Sequence, residues 1–332
     1  YYLLIRCEGR QAKIKYNEEL IARRASVAHK RMEKLKDLMN METVHVAWDF
    51  LKENGLKALI LKSKHKIQGI DDDYDYAEWW NLTKPSEEEL EEQKKKKFDY
   101  MPKFSIVIPV YKTPEKFLKE MLDSIVEQTY ANWELCIADG SPAGESVENV
   151  LKKYAEKDAR IRYQVLGENR GISGNTNAAL EMAEGDFIVL ADHDDRLTPN
   201  ALFECAKKLN ENENCDVLYS DEDKLDMDGD ELFDPHFKPD FNPDLLTSVN
   251  YICHLFVVKK ELLDTVGGFR AEYDGAQDYD FIFRCTENAK QICHIPKVLY
   301  HWRCHPNSTA SNPESKLYAF TAGSRAIMDH YK

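Results

Sequence analysis

From Phe104 onward, short apolar runs alternate with stretches of helical spacing. The apolar runs are Ser105–Tyr111, Trp133–Asp139, Ile161–Leu166, Asp186–Asp192, Asp216–Ser220 and His254–Lys259, and each predicts a strand. Helical patterns occupy Pro114–Gln128, Glu145–Glu156 and Ser173–Ala183 between the first four. Another, Pro199–Leu209, precedes the fifth, and a further helical run begins at Phe281. Near-continuous apolar strands separated by helices predict an α/β fold, a mostly parallel central sheet with helices on both faces. Such sheets bind ligands beyond the carboxyl ends of their strands. The strand ends are therefore where chemistry is sought.

Ahead of this body the pattern differs. Residues 1–70 are rich in helix formers, and Val44, Ala47, Trp48 and Leu51 recur at helical spacing before Asn54-Gly55 stops the run. Leu56, Leu59 and Ile60 begin another. Residues 71–103 form a charged connector with Asp71-Asp72-Asp73, Glu87-Glu88-Glu89 and Lys94 to Lys97. Within it, Pro85-Ser86 followed by Glu88 and Glu89 predicts a short exposed helix. The organisation read here is a basic helical extension (1–70), the connector (71–103) and a catalytic domain (104–332).

With 332 residues, 43% hydrophobic and 31% charged, plus 17 Tyr, 14 Phe and 5 Trp, the chain has ample core material. Collagenous and wholly disordered readings are excluded, and no apolar stretch is long enough to predict a membrane-spanning helix. Charge divides unevenly: residues 1–70 carry 15 basic and 8 acidic residues, and the remainder 30 basic and 51 acidic. A nucleic-acid binder would be basic on its main domain, so nucleic acid is not an expected partner. An acidic body fits either solvated surface or carboxylates gathered round a metal. None of the eight cysteines forms a C-x-x-C pair, which predicts buried thiols in a reducing, cytoplasmic setting. The group Cys293-His294, His301 and Cys304-His305 matches no common zinc spacing. Because the first residue is Tyr1, the chain reads as part of a longer multidomain polypeptide.

Strand one ends Ile108-Pro109-Val110-Tyr111, where the proline stops the ladder and frees the chain to turn. Strand two ends Asp139-Gly140-Ser141-Pro142, with Asp139 either a helix cap or an acid facing a ligand. After strand three, Glu168-Asn169-Arg170-Gly171-Ile172-Ser173-Gly174-Asn175 allows close backbone approach, and Ser173 can cap the next helix. This turn is neither G-x-G-x-x-G nor a P-loop. Strand four runs into Asp192-His193-Asp194-Asp195. Three carboxylates in four residues cannot all stay ionised at a buried strand end without a cation or donors nearby. In extended chain, Asp192 and Asp194 project to one side and can share a hard divalent ion; the alternative is a solvated acidic turn. Asp221-Glu222-Asp223 closes strand five. Gln277-Asp278 opens the run at Phe281, with Asp278 either a helix cap or a positioned general base.

In order, Pro109-Val110-Tyr111, Asp139-Gly140-Ser141, Asn169-Arg170-Gly171, Asp192-His193-Asp194-Asp195 and Gln277-Asp278 resemble the inverting family 2 glycosyltransferases, which have the GT-A nucleotide-sugar fold. The resemblance spans roughly Phe104 to Trp302. Tyr219 to Lys224, Asp234 to Asp240, Asn250-Tyr251 and Tyr300 to Arg303 narrow it to a bacterial surface-polysaccharide branch of O-antigen or rhamnan type. It implies a hexosyl or deoxyhexosyl transfer from a nucleotide-diphosphate sugar to a hydroxyl of a glycan or lipid-linked acceptor. Asp139 would accept from the nucleobase, with Pro109 and Tyr111 lining its pocket. Asn169, Arg170, Gly174 and Asp192 would bind the nucleotide sugar. Asp192 and Asp194 match the D-x-D motif that holds Mn²⁺ or Mg²⁺ against the diphosphate, and Asp278 matches the base that deprotonates the acceptor. His301 is either a further metal contact or a packed strand histidine.

Gln277 stands where many relatives have Glu, and no Q-x-x-R-W follows Asp278, which argues against a processive polymer synthase. Two rivals remain. A nucleotidyltransferase would want a Gly-rich basic first loop, which Val110 to Pro114 is not. A catalytically silent scaffold is opposed by the intact Asp192, Asp194 and Asp278. A lipid-linked acceptor would suit peripheral contact of residues 1–70 with the inner face of the plasma membrane; the alternative is that their apolar helical face packs on the catalytic domain or on a neighbouring module.

Overall fold

The computed structural model describes residues 76–304 and 317–332. The basic extension expected over 1–70 lies outside the described residues. The chain divides into two compact units, Tyr1–Leu82 and Thr83–Lys332. A helix spans Tyr76–Thr83, and the second unit opens with the helix Glu87–Lys95. That helix is the short exposed one the sequence predicts. Ser86 Oγ accepts from the Glu89 amide at 3.2 Å, and Glu89 Oε2 accepts from the Ser86 amide at 2.7 Å, a reciprocal cap. Its Gln93 Oε1 accepts from Thr129 Oγ1 at 2.9 Å, tying the connector to the catalytic body.

The strands are β1 (Phe104–Val110), β2 (Trp133–Asp139), β3 (Ile161–Val165), β4 (Phe187–Leu190), β5 (Arg196–Leu197), β6 (Val217–Leu225), β7 (Leu232–His236), β8 (Phe256–Lys259) and β9 (Ile292–Arg303). Among the described residues they make one sheet, ordered β3-β2-β1-β4-β8-β6-β9-β5, with β7 on β6. The half β3-β2-β1-β4 is parallel throughout. Beyond β4 the sheet is mixed: β8 runs antiparallel to both β4 and β6, while β9 runs parallel to β6. The parallel expectation thus describes the first half of the sheet.

Alternation along β1 explains why both faces are covered. Ile106 and Ile108 pack with Leu118, Met121 and Leu122 of the helix Glu115–Val126, whereas Val107 joins Ala178, Ala179, Phe281 and Ile282 on the other face. Helices Gly171–Leu180 and Gln277–Asn288 supply that second layer. Since β1, β2 and β4 are parallel, Val110, Asp139 and Ala191 all finish at one edge of the sheet, and this edge carries the site.

Candidate active site

The turn that follows β4 is held from β9. Tyr300 Oη accepts from the Asp192 amide at 3.0 Å and donates to Asp195 Oδ2 at 2.6 Å. The Arg303 amide donates to Asp195 Oδ1 at 2.7 Å, and Arg303 Nε donates to the Asp194 carbonyl at 2.6 Å. The Arg303 side chain is fully buried, with its guanidinium 4.6 Å above the Phe117 ring and bonded to Glu120 at 2.5 Å. Two side chains of one strand therefore order all the carboxyl-bearing residues of the turn.

Asp192, Asp195 and His254 each offer a ligand atom, and the three atoms lie within 4.8 Å of one another. Burial and the neighbouring Asp194 and Asp192 push the Asp195 carboxyl well above the usual range. His254 Nε2 lies 3.6 Å from Asp192 Oδ2. Its other ring nitrogen is buried without a hydrogen bond. Trp302 stacks on the ring at 5.8 Å and Tyr300 tilts against it at 4.7 Å. Two carboxylates and an imidazole whose Nε2 faces Asp192, with a carboxyl that resists ionising, form a donor set that fits a divalent cation such as Mn²⁺ or Mg²⁺.

Behind His254 lies a buried ion pair. Glu222 Oε2 accepts from the His254 amide at 3.2 Å and faces Lys238 Nζ at 3.3 Å. Burial opposes ionisation of Glu222, but Lys238, His236 and His254 outweigh it and hold the carboxyl down at about 2. Lys238 also donates to the carbonyls of Ile252 and His254.

The acidic run 221–223 does not end its strand; it lies inside β6, and every member is paired. Asp221 bonds His294 at 2.8 Å and Asp223 bonds His301 at 2.5 Å. His301 therefore sits against Asp223, while its neighbours Tyr300 and Trp302 address the Asp192–Asp195–His254 group. Asp194 lies outside that group too; its carboxylate is 3.6 Å from His193 Nδ1.

Asp278 stands in the first turn of Gln277–Asn288, yet it caps nothing: the cap position is Ala276, with no side-chain bond. Its Oδ2 accepts from Asn250 Nδ2 at 2.9 Å and lies 3.5 Å from Cys253 Sγ. Cys253 adjoins His254, and the Asp278 carboxylate is near enough to the ligand group for its charge to help raise the Asp192 carboxyl, behind burial as the main cause. Asp280, on the same helix, is buried and clamped by Arg270 and Arg284. Gln277 Oε1 accepts from the Gly275 amide at 2.9 Å, bracing the loop that delivers Asp278.

On the β1–β2 side, Tyr111 is exposed with Lys112 Nζ 5.5 Å from its ring, and Pro109 is half-buried in β1. Asp139 is fully buried. Its Oδ1 accepts from the Ser141 amide at 2.9 Å, and its Oδ2 from Ser146 Oγ at 2.6 Å and the Val147 amide at 3.2 Å. Those bonds order the loop into the helix Glu148–Ala155. Asn169 Oδ1 accepts from the Gly171 amide at 3.0 Å and Asn175 Nδ2 at 3.1 Å. Arg170, not Ser173, is the cap residue of the next helix. Ser173 Oγ instead donates to Asp274 Oδ1 at 2.5 Å, joining this turn to the loop before Asp278. Gly174 is required by proximity: a Cβ there would meet the Arg170 Cβ at 2.6 Å.

Residues 105–267 match the family described as Glycosyl transferase family 2. The chain belongs to glycosyltransferase family 2. The transferase is 35% identical over 256 residues to the O-antigen biosynthesis protein RfbC of Myxococcus xanthus, covering 77% of this chain and 20% of that protein. It is 44% identical over 231 residues to the uncharacterized protein y4gI of Sinorhizobium fredii, covering 69% of this chain and 25% of that one. The chain thus spans a fifth to a quarter of these relatives. Among solved structures, S. aureus TarS 1-349 in complex with UDP-GlcNAc matches with TM-score 0.55 and 24% identity over 69% of this chain and 66% of that one. Mannosyltransferase PcManGT from Pyrobaculum calidifontis, in complex with GDP-Man and Mn²⁺, matches with TM-score 0.50 and 20% identity, covering 73% of this chain and 68% of that one. These likenesses show the fold, a GT-A type nucleotide-sugar transferase fold.

Asp195, His254, Tyr300 and Arg303 were not picked out as functional from sequence. The transferase brings His254 to the site from the start of β8, which is antiparallel to β4. Searching only the carboxyl ends of strands passes over such a residue. The signal that could have found it is the position of His254 at the head of an apolar run.

Proposed function

We propose that this domain moves a sugar from a nucleotide-diphosphate donor to a hydroxyl of a glycan or lipid-linked acceptor, with inversion and with Mn²⁺ or Mg²⁺ bound. The observation that carries the reading is the convergence of Asp192, Asp195 and His254 beside Asp278 at one sheet edge. The partners named for RfbC, TarS and PcManGT support a surface glycan and a UDP- or GDP-type donor.

In this reading Asp192, Asp195 and His254 hold the ion, with Asp194 a further carboxylate of the turn. The ion supplies Lewis-acid stabilisation of the charge on the departing diphosphate. Pro109, Tyr111 and the loop ordered by Asp139 receive the base, while Asn169, Arg170 and Gly174 shape the turn beside the sugar diphosphate. Asp278 takes the proton of the acceptor hydroxyl as its oxygen bonds to the anomeric carbon and the nucleoside diphosphate leaves from the opposite face. One base and one displacement give inversion. Residues 1–70 bring this acidic body to anionic lipid on the cytoplasmic face of the membrane, where a lipid-linked acceptor lies.

The test incubates the 332-residue chain with UDP-GlcNAc, UDP-glucose, UDP-galactose, GDP-mannose and dTDP-rhamnose, with Mn²⁺, Mg²⁺ or chelator. Metal-dependent release of a nucleoside diphosphate from at least one donor is expected. Release of pyrophosphate from a nucleoside triphosphate instead would identify a nucleotidyltransferase. Silence with every donor would leave a scaffold and sink the proposal.

A further inference from the structure

We propose that Asn250 is a positioning residue for Asp278, fixing one carboxylate oxygen so that the other is presented to the acceptor hydroxyl. This rests on the assignment of Asp278 as the base.

The Asn250 amide bridges two elements. Its Nδ2 donates to Asp278 Oδ2 at 2.9 Å, and its Oδ1 accepts from the Cys253 amide at 3.4 Å. Cys253 Sγ approaches the same Oδ2 at 3.5 Å. Both contacts fall on Oδ2, and among the described residues Oδ1 accepts no hydrogen bond. An aspartate in the first turn of a helix ordinarily turns its carboxylate onto the free amides of that turn. Here the loop before β8 pulls it the other way. Two contacts on one oxygen restrict the swing of the carboxylate, and misplacement of a catalytic group by about 1 Å costs on the order of 10² in rate. The bridge also links the base to the ligand group, because residues 250–253 run directly into His254. Base and ion are thereby registered on one short segment, so the acceptor oxygen and the leaving diphosphate are set at a fixed separation.

The experiment measures Mn²⁺-dependent diphosphate release from UDP-GlcNAc, or from whichever donor of the panel the wild-type chain turns over fastest. It compares wild type, Asn250→Ala, Asp278→Asn and the double variant, with UDP–Mn²⁺ affinity followed by calorimetry. Asn250→Ala should lower kcat roughly 10- to 100-fold while UDP–Mn²⁺ affinity stays within about twofold. In the Asp278→Asn background it should cost nothing further, since two groups acting through one carboxylate are not additive. Asn250→Ser keeps an acceptor for the Cys253 amide but falls short of Asp278; it should match Asn250→Ala, and carries the test if the alanine variant does not fold. A wild-type kcat in these variants, or an equal fractional loss in both backgrounds, overturns the inference while leaving Asp278 as base. A wild-type rate in Asp278→Asn overturns both.

Discussion

Lys238 and Glu222 form an ion pair 3.3 Å apart, with the Lys238 side chain fully buried, directly behind the backbone of His254. Burial alone would drive the ammonium towards neutrality, and the nearby carboxylate works against that pull. Pairing of this kind contributes little net stability, but breaking it by removing one partner is costly. Lys238→Met should therefore destabilise the domain by about 3–5 kcal/mol, read as a lowered denaturation midpoint. Adding Glu222→Gln should restore part of the loss. A Lys238→Met midpoint equal to wild type would show that the lysine carries no buried charge.

The metal group makes a discriminating prediction. His254→Ala and Asp192→Asn should weaken Mn²⁺-dependent UDP binding at least tenfold, because in the proposed reading each removes a ligand. His301→Ala should leave that affinity intact, since its partner is Asp223, and lower thermal stability instead. Calorimetry on the three variants checks this; a large loss of Mn²⁺-dependent binding in His301→Ala alone reverses the assignment.

Asp278→Asn keeps the shape of the side chain but cannot accept a proton. Transfer should fall by roughly 10²–10⁴-fold with donor affinity little changed. Steady-state rates alongside UDP titration separate the two effects. Asp280 and Asp221 are poor substitutes as base, because arginines clamp the first and His294 pairs the second.

Acid should unfold the domain through Glu134, at the opposite end of β2 from Asp139. Burial opposes its ionisation, yet Lys103 at 2.6 Å and Ser105 at 2.6 Å prevail and set the carboxyl at about 2, against 4.5 when unperturbed. A depressed folded value means stability present above pH 4.5 and lost as pH falls towards 2. Glu134→Gln should be less stable at neutral pH, with a flatter decline across that window. Denaturation midpoints from pH 7 to 2 decide it; an unchanged slope removes Glu134 from the acid transition.

Co-sedimentation with vesicles containing phosphatidylserine tests the proposed membrane contact. Binding at low salt that fades at high salt and vanishes without residues 1–70 is expected. No binding at low salt removes the membrane from the account.

In the parallel half of the sheet, β1, β2 and β4 were legible because they are almost wholly buried and read as mainly apolar runs, whereas the edge strand β3 mixes buried and more exposed positions. In the mixed half β6 and β8 were legible as the runs Asp216–Ser220 and His254–Lys259, but β7 and β9 were not, since β7 is half polar and β9 carries His294, His301 and Arg303 among its apolar residues. The same blindness applied to the site. Asp192 and Asp278 stood out beside apolar runs, but the partners of acids cannot be read from one strand. That Asp221, Glu222 and Asp223 each pair with a different residue, His294, Lys238 and His301, emerges only when β9 and the 238 loop are folded against β6. Ser173 looked like a cap by type, yet it lies inside the helix Gly171–Leu180 and its hydroxyl donates to Asp274 instead.

The grip of Tyr300 and Arg303 on the turn 192–195 sets an order of events for the growing chain. The acidic motif leaves the ribosome more than a hundred residues before the strand that shapes it. Until β9 docks beside β6, the carboxylates at the end of β4 lack the donors that order them and remain an unshaped cluster of like charge. A nascent chain is thus barren until β9 arrives, and fragments cut at residue 267, where the family match stops, lose Asp278, Tyr300, Arg303 and the core side chains of the helix Gln277–Asn288, and should lack a formed site.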